Sequence, residues 1–216
     1  MKRMQCDKRY FGAGVSSITL SILIGFLSLH VERSSILFPS TSSWYEMAQA
    51  ITLMGSAYVI WSMALLLTAY NYSKYKSIKK EDVLLLTSLL LCEITVMVMK
   101  ILYGIPRPYY QGEIPGDLLD RFTILKYLSY PSGHTSRFTA FSYWVSKRGR
   151  VGRATWIFLV LIAVSRIVLH VHYVCDVIGA FFIGMGISLI VNSTSSSTSD
   201  IENHGRSPLA LASFTP

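Results

Sequence analysis

The chain has 216 residues, of which 51% are hydrophobic and only 15% charged. A soluble domain carries about a quarter charged residues, so this composition excludes an ordinary soluble globule and points to a single membrane domain. The net charge of +8 does not indicate nucleic acid as a partner, because the basic residues fall in short clusters between apolar runs rather than along one face.

The amino end carries Lys2, Arg3, Lys8 and Arg9, then an apolar run over residues 10–31. That run is too long for a signal-peptide core and lacks a small-residue cleavage site, so an uncleaved first span is expected. Further runs lie at 47–70, 83–103, 132–146, 154–171 and 174–192. A helical span needs about 20 apolar residues. By that measure the fourth run, which holds Arg137, is short, and the last two must join by a tight turn. The expected fold class is all-α, a bundle of six transmembrane helices over 1–192, followed by a Ser- and Thr-rich, disordered cytoplasmic tail at 193–216. Cys6, Cys92 and Cys175 form no zinc or disulfide pattern and read as small buried hydrophobes.

Loop charge gives an orientation. Lys74, Lys76, Lys79 and Lys80 fill the second connection, and Lys147, Arg148, Arg150 and Arg153 fill the fourth. With six spans these lie on the side of the amino end, which is expected to be cytoplasmic, as is the carboxyl end. The glycosylation patterns at Asn71 and Asn192 fall on that side and are expected to be unused.

The chemistry gathers at the opposite side. Lys100 closes the third run and is followed after six residues by Arg107-Pro108; Pro131-Ser132-Gly133-His134 opens the fourth; Ser165-Arg166, His172 and Asp176 join the fifth to the sixth. Three cations brought to one membrane face repel one another and call for an anion. The arginine forks suit phosphate oxygens, and lysine supplies a point charge. Pro131 suits a first helical turn, and Ser132 and Gly133 then place backbone N–H groups at a helix start, where an anion can sit. Gly133 leaves room for a ligand to approach the backbone. His172 and Asp176 are four apart and share a face if a helix continues through them. The carboxylate would then fix the ring tautomer and leave the other nitrogen to attack phosphorus, while His134 could act as acid and base. No carboxylate cluster is placed to hold magnesium, so the protein's own cations would take that electrostatic role.

Taken together, Lys100-x6-Arg107-Pro108, Pro131-Ser132-Gly133-His134 and Ser165-Arg166-x5-His172-x3-Asp176 resemble the three signature motifs of the type 2 phosphatidic acid phosphatase family, which shares its catalytic core with vanadium haloperoxidases. The resemblance implies a six-helix membrane phosphatase with its site at the outer, non-cytoplasmic face and no metal or other cofactor. It implies His172 as nucleophile forming a phosphohistidine, Asp176 as its orienting partner and His134 as acid and base. Lys100, Arg107, Ser132, Gly133 and Arg166 would bind phosphate. The expected partners are a lipid phosphate and the bilayer. A polyprenyl diphosphate is the expected substrate, since an outward site suits carrier-lipid recycling. Phosphatidate or phosphatidylglycerophosphate is the alternative, and a lipid phosphotransferase or a non-catalytic lipid-binding protein are the competing classes.

Other residues carry plainer expectations. His170 has Val174 rather than an acid four residues on, so it is not read as the nucleophile. Glu93 lies seven positions before Lys100, on the same face and about 10 Å deeper. It is read as a protonated or hydrogen-bonded packing residue, against the alternatives of a cavity floor or a partner for a cation. Arg137 could reach a second phosphate, snorkel or pair with an acid. Arg121 and Lys126 could attract headgroups or be solvated. Trp44, Trp61, Trp144, Trp156, Tyr109 and Tyr110 are read as interfacial belt or packing.

Overall fold

Long apolar runs without interior proline fold into helices whose order and ends set the site. In the computed structural model, which describes residues 7–30 and 43–194, the chain forms α1 (Lys8–His30), α2 (Ser43–Leu53), α3 (Ala57–Tyr75), α4 (Lys80–Tyr103), the short α5 (Asp120–Thr123) and a 3-10 turn at Leu125–Tyr127. These are followed by α6 (Gly133–Ser146), the short α7 (Arg150–Arg153), α8 (Thr155–Val168) and α9 (Val174–Ser193). The expectations for Lys2, Arg3, Cys6, most of the first connection and the tail beyond Thr194 lie outside the described residues.

Helix ends follow local chemistry. Ser56 caps α3 by accepting the Val59 N–H at 3.4 Å. Gly104, at φ 59°, ends α4 in the left-handed conformation, where its N–H returns to the Lys100 carbonyl.

Among the described residues, four segments are long and apolar enough to cross a membrane: Lys8–Leu29, Lys80–Tyr103, Arg150–Val168 and Val174–Ser193. The expected second span is a bent pair, α2 and α3, meeting at 40°, and makes a fifth if counted as one. The short fourth run is a different object. With 14 residues, α6 spans about 21 Å, less than a bilayer core of about 30 Å. It is an inner helix, with residues from Thr135 to Ser142 buried, packed on α4, α8 and α9. Its small polar side chains allow this. A Cβ on Gly184 of α9 would fall 2.7 Å from Thr139 Cβ, so only glycine lets the two backbones approach so closely.

The two ends of the bundle differ. At one, Asp82 is fully buried and accepts both Asn71 Nδ2 (3.0 and 2.9 Å) and Arg148 Nη2 (2.6 Å). That network ties α3, α4 and the α6–α7 turn together, and it occupies the Asn71 side chain. Asn192, the other glycosylation position, accepts from Lys147 Nζ at 2.7 Å. At the opposite end α4 and α8 finish while α6 and α9 begin, which brings all three motifs to one place.

Candidate active site

The connection between α4 and α6 doubles back on itself. Arg107 N donates to Tyr127 O at 2.9 Å, Ser129 N donates to Ile105 O at 2.6 Å, and Pro106 bridges to Leu128. This clamp sets the first motif against the second. Lys100 is buried and donates through Nζ to the carbonyls of Leu128 and, at 3.0 Å, Ser129. Arg107 Nε donates to the same Leu128 carbonyl at 3.3 Å.

Ser132 is the N-cap residue of α6, but its side chain does not cap. Its Oγ accepts from Thr135 Oγ1 at 3.2 Å, and its backbone N–H is bound to Asp176 O at 3.1 Å. Ser132 is fully buried. Gly133 and His134 instead face a cavity of about 270 Å³ lined also by Lys100, Arg107, Arg137, His172 and Glu93. A Cβ on Gly133 would find its nearest neighbours at 3.7 Å, so this edge of the cavity is open.

The helix that would have put His172 and Asp176 on one face does not continue through them; the expected tight turn between the last two runs lies there instead. The chain turns at His170, φ 53°, and α9 begins only at Val174. Two full helices cannot meet at a five-residue junction without such a reversal. Asp176 still reaches His172, because in the first turn of α9 it folds back toward the preceding loop. Its Oδ2 accepts the Tyr173 N–H at 2.8 Å and lies 3.4 Å from His172 Nδ1. Burial pushes the His172 imidazole well below its ordinary range; Lys100, Arg166 and Arg107 push the same way, and a hydrogen bond to the Ser129 backbone opposes them. The ring is therefore neutral at neutral pH, as a nitrogen nucleophile must be.

Arg166, in the last turn of α8, is buried and turned toward α2, where Nη1 donates to Thr52 Oγ1 at 2.6 Å. Its Nε is buried and has no partner among the described residues. An orphaned buried guanidinium donor is costly. Five of the eight expected residues, Lys100, Arg107, Gly133, His134 and His172, thus line the cavity, Asp176 adjoins it through His172, and Arg166 is turned toward α2. Ser132 stands apart, since its hydroxyl serves the α6 start.

Two readings are corrected. Glu93 is more than a packing residue, and both alternatives to that reading apply: it lines the cavity and pairs with Arg137 through both carboxylate oxygens, Nε to Oε1 and Nη2 to Oε2 at 2.8 Å. Arg137 donates its third group, Nη1, to Gly55 O at 3.0 Å, and so holds the α2–α3 bend to α6. Arg121 is not a free headgroup lure either. It donates to the carbonyls of Ile101, Leu102 and Pro115 at 2.8, 3.1 and 2.8 Å, closing the carboxyl end of α4. Lys126 lies over the Tyr127 ring at 4.8 Å, and Trp144 is core, donating to Ser88 Oγ at 2.8 Å. Sequence reasoning missed Ser129 and Thr52. Ser129 stands just ahead of the second motif, and Thr52 carried no signal.

The fold and site define a helical membrane protein with a buried, cationic, histidine-bearing cavity at one end of its bundle. Residues 82–198 match the PAP2 superfamily, and the chain belongs to that superfamily. It is accordingly an integral membrane phosphatase of the PAP2 type. Its fold is similar to that of a transmembrane PAP2 type phosphatidylglycerolphosphate phosphatase from Bacillus subtilis, at a TM-score of 0.63 and 18% identity over 91% of this chain and 98% of that one. It is also similar to LpxE from Aquifex aeolicus, at a TM-score of 0.55 and 20% identity over 81% and 93% of the two chains. No curated protein matches the sequence.

Proposed function

We propose that the chain hydrolyses the phosphate headgroup of a lipid by way of a phosphohistidine. The observation that carries this reading is the joint placement of His134, His172, Lys100 and Arg107 around one cavity of about 270 Å³. In this reading the substrate phosphate lies against Lys100, Arg107, Arg166 and the backbone of Gly133. With Nδ1 of His172 engaged, Nε2 attacks phosphorus, and the P–O bond to the lipid breaks. His134 gives its proton to the departing lipid oxygen, then takes one from water as that water attacks phosphorus and the P–N bond breaks. Phosphate leaves, and His172 is restored. Asp176 orients His172 throughout. The cations stabilise the charge that develops on the equatorial oxygens.

The substrate follows from charge. A polyprenyl diphosphate, the expectation from sequence, gains support if a further cation faces the cavity. Arg137 is the residue placed to serve, but its guanidinium is taken up by Glu93 and Gly55. This favours a lipid monophosphate of the phosphatidate or phosphatidylglycerophosphate kind. We place the site at the non-cytoplasmic face of a domain over 1–192 whose six passes include the short inner α6. Basic residues at the opposite end of the bundle, Lys147, Arg148, Arg150 and Arg153 among them, support that orientation.

Purified protein in detergent, with chelator present, is offered phosphatidate, phosphatidylglycerophosphate, polyprenyl monophosphate and polyprenyl diphosphate. Phosphate release that survives chelation and vanishes in His172→Ala is the expected result, with the monophosphates preferred. Release unchanged by the substitution would reject the histidine mechanism. Transfer to a labelled lipid acceptor in place of release would move the assignment to a phosphotransferase.

A further inference from the structure

Ser129 lies between the two groups expected to form the catalytic pair. Its Oγ–H donates to Asp176 Oδ2, and the same oxygen stands 3.3 Å from His172 Nδ1. The direct His172–Asp176 contact is the longer one, at 3.4 Å. A serine hydroxyl has a single proton. Because that proton goes to Asp176, Ser129 can face His172 only as an acceptor, and Nδ1 must carry the hydrogen. Ser129, His172 and Asp176 are 0%, 3% and 0% exposed, so water does not compete for these bonds.

We infer that Ser129 is a positioning residue for His172, sharing with Asp176 the task of fixing the ring's tautomer and direction. The inference rests on His172 being the nucleophile. Lys100 extends the arrangement, because its Nζ holds the Leu128 and Ser129 carbonyls. The cation that draws in phosphate therefore also pins the segment that aims the nucleophile.

The test uses two oxyanions and needs no lipid. Orthovanadate bonds to a correctly aimed, neutral imidazole nitrogen and mimics the transferring phosphoryl group, whereas sulfate is held by the cations alone. Affinity for each is read from thermal protection of the detergent-solubilised full chain. Ser129→Ala is expected to weaken vanadate by about ten- to a hundredfold, as for other groups that orient a ligating histidine, and to leave sulfate unchanged. Ser129→Thr, which keeps the hydroxyl, is expected to restore vanadate binding. Wild-type vanadate affinity in Ser129→Ala would overturn the inference, and so would an equal loss of vanadate and sulfate, which would mean a general collapse of the cavity. Failure of Ser129→Thr to recover any vanadate affinity would overturn it as well. His172→Ala separates the two levels. If that variant keeps the preference for vanadate over sulfate, the nucleophile assignment itself fails, whatever Ser129 does.

Discussion

Arg137 and Glu93 form a two-pronged ion pair across the floor of the cavity, joining α6 to α4 three residues after His134. The pair is asymmetric: the arginine side chain is 9% exposed and the carboxylate 32%. Trp61 Nε1 adds a contact to Glu93 at 3.4 Å. Removing the acid leaves a buried guanidinium without a counter-charge, which costs about 3–5 kcal/mol when both partners are deeply buried. Glu93 is partly wet, so Glu93→Ala is expected to lower stability by about 2 kcal/mol. The double change Glu93→Gln with Arg137→Met removes both charges and should recover most of that loss. Melting of the two variants beside the wild type in detergent measures it. A Glu93→Ala protein as stable as wild type would show that the pair contributes nothing.

Gly133 offers a cleaner separation of activity from folding. A Cβ there meets nothing closer than 3.7 Å, yet it would project where the cavity wall is open to the proposed phosphate. At the first turn of α6, alanine is also the better helix former. Gly133→Ala is expected to retain or slightly raise the melting temperature while turnover falls by about a hundredfold, the size of effect that follows from misplacing a reacting group by about 1 Å. A loss of stability with activity intact would reverse the argument.

His172 makes stability depend on pH in a definite direction. Its folded-state pKa lies well below the ordinary imidazole value of about 6.5. The unfolded chain therefore binds a proton in a window where the folded chain does not. This contribution is fully present above about pH 6.5 and declines as pH falls below it. The melting temperature is expected to drop on acidification from pH 7 to pH 5, and the drop should shrink in His172→Gln, which has no proton to gain. An equal drop in the variant would assign the effect to other groups.

The membrane class, the all-helical fold and the residues around the cavity were legible because each leaves a mark at short range. Apolar runs mark helices, and the motif residues keep fixed spacings. What was hidden depended on contacts between runs. Nothing local says that Glu93 faces Arg137 across 44 positions, or that Ser129 stands beside Asp176 across 47. Asp176 reaches His172 without the continuous helix that the four-residue spacing suggested, because the turn at His170 intervenes. The short fourth run violated the length rule because α6 is surrounded by other helices, which satisfy polar groups such as the Trp144 N–H that lipid could not.

Gly55 links the bend between α2 and α3 to His134. Its carbonyl accepts from Arg137, and a Cβ on it would fall 3.3 Å from His134 Cδ2 and 2.8 Å from Ile162 Cγ2. Ile162 is fully buried and cannot yield freely, so the added methyl must press on His134 or open the bend. Overpacking of this kind costs about 1–3 kcal/mol. Gly55→Ala is expected to lose stability in that range and to lose at least about tenfold in kcat, with KM little changed, because the proposed acid–base group moves while the proposed phosphate cations stay in place. Shortening the neighbour relieves one of the two clashes: Gly55→Ala with Ile162→Val should regain stability and recover part of kcat. Recovery of stability with no recovery of kcat would mean that the bend does not position His134, and that its packing serves only the fold.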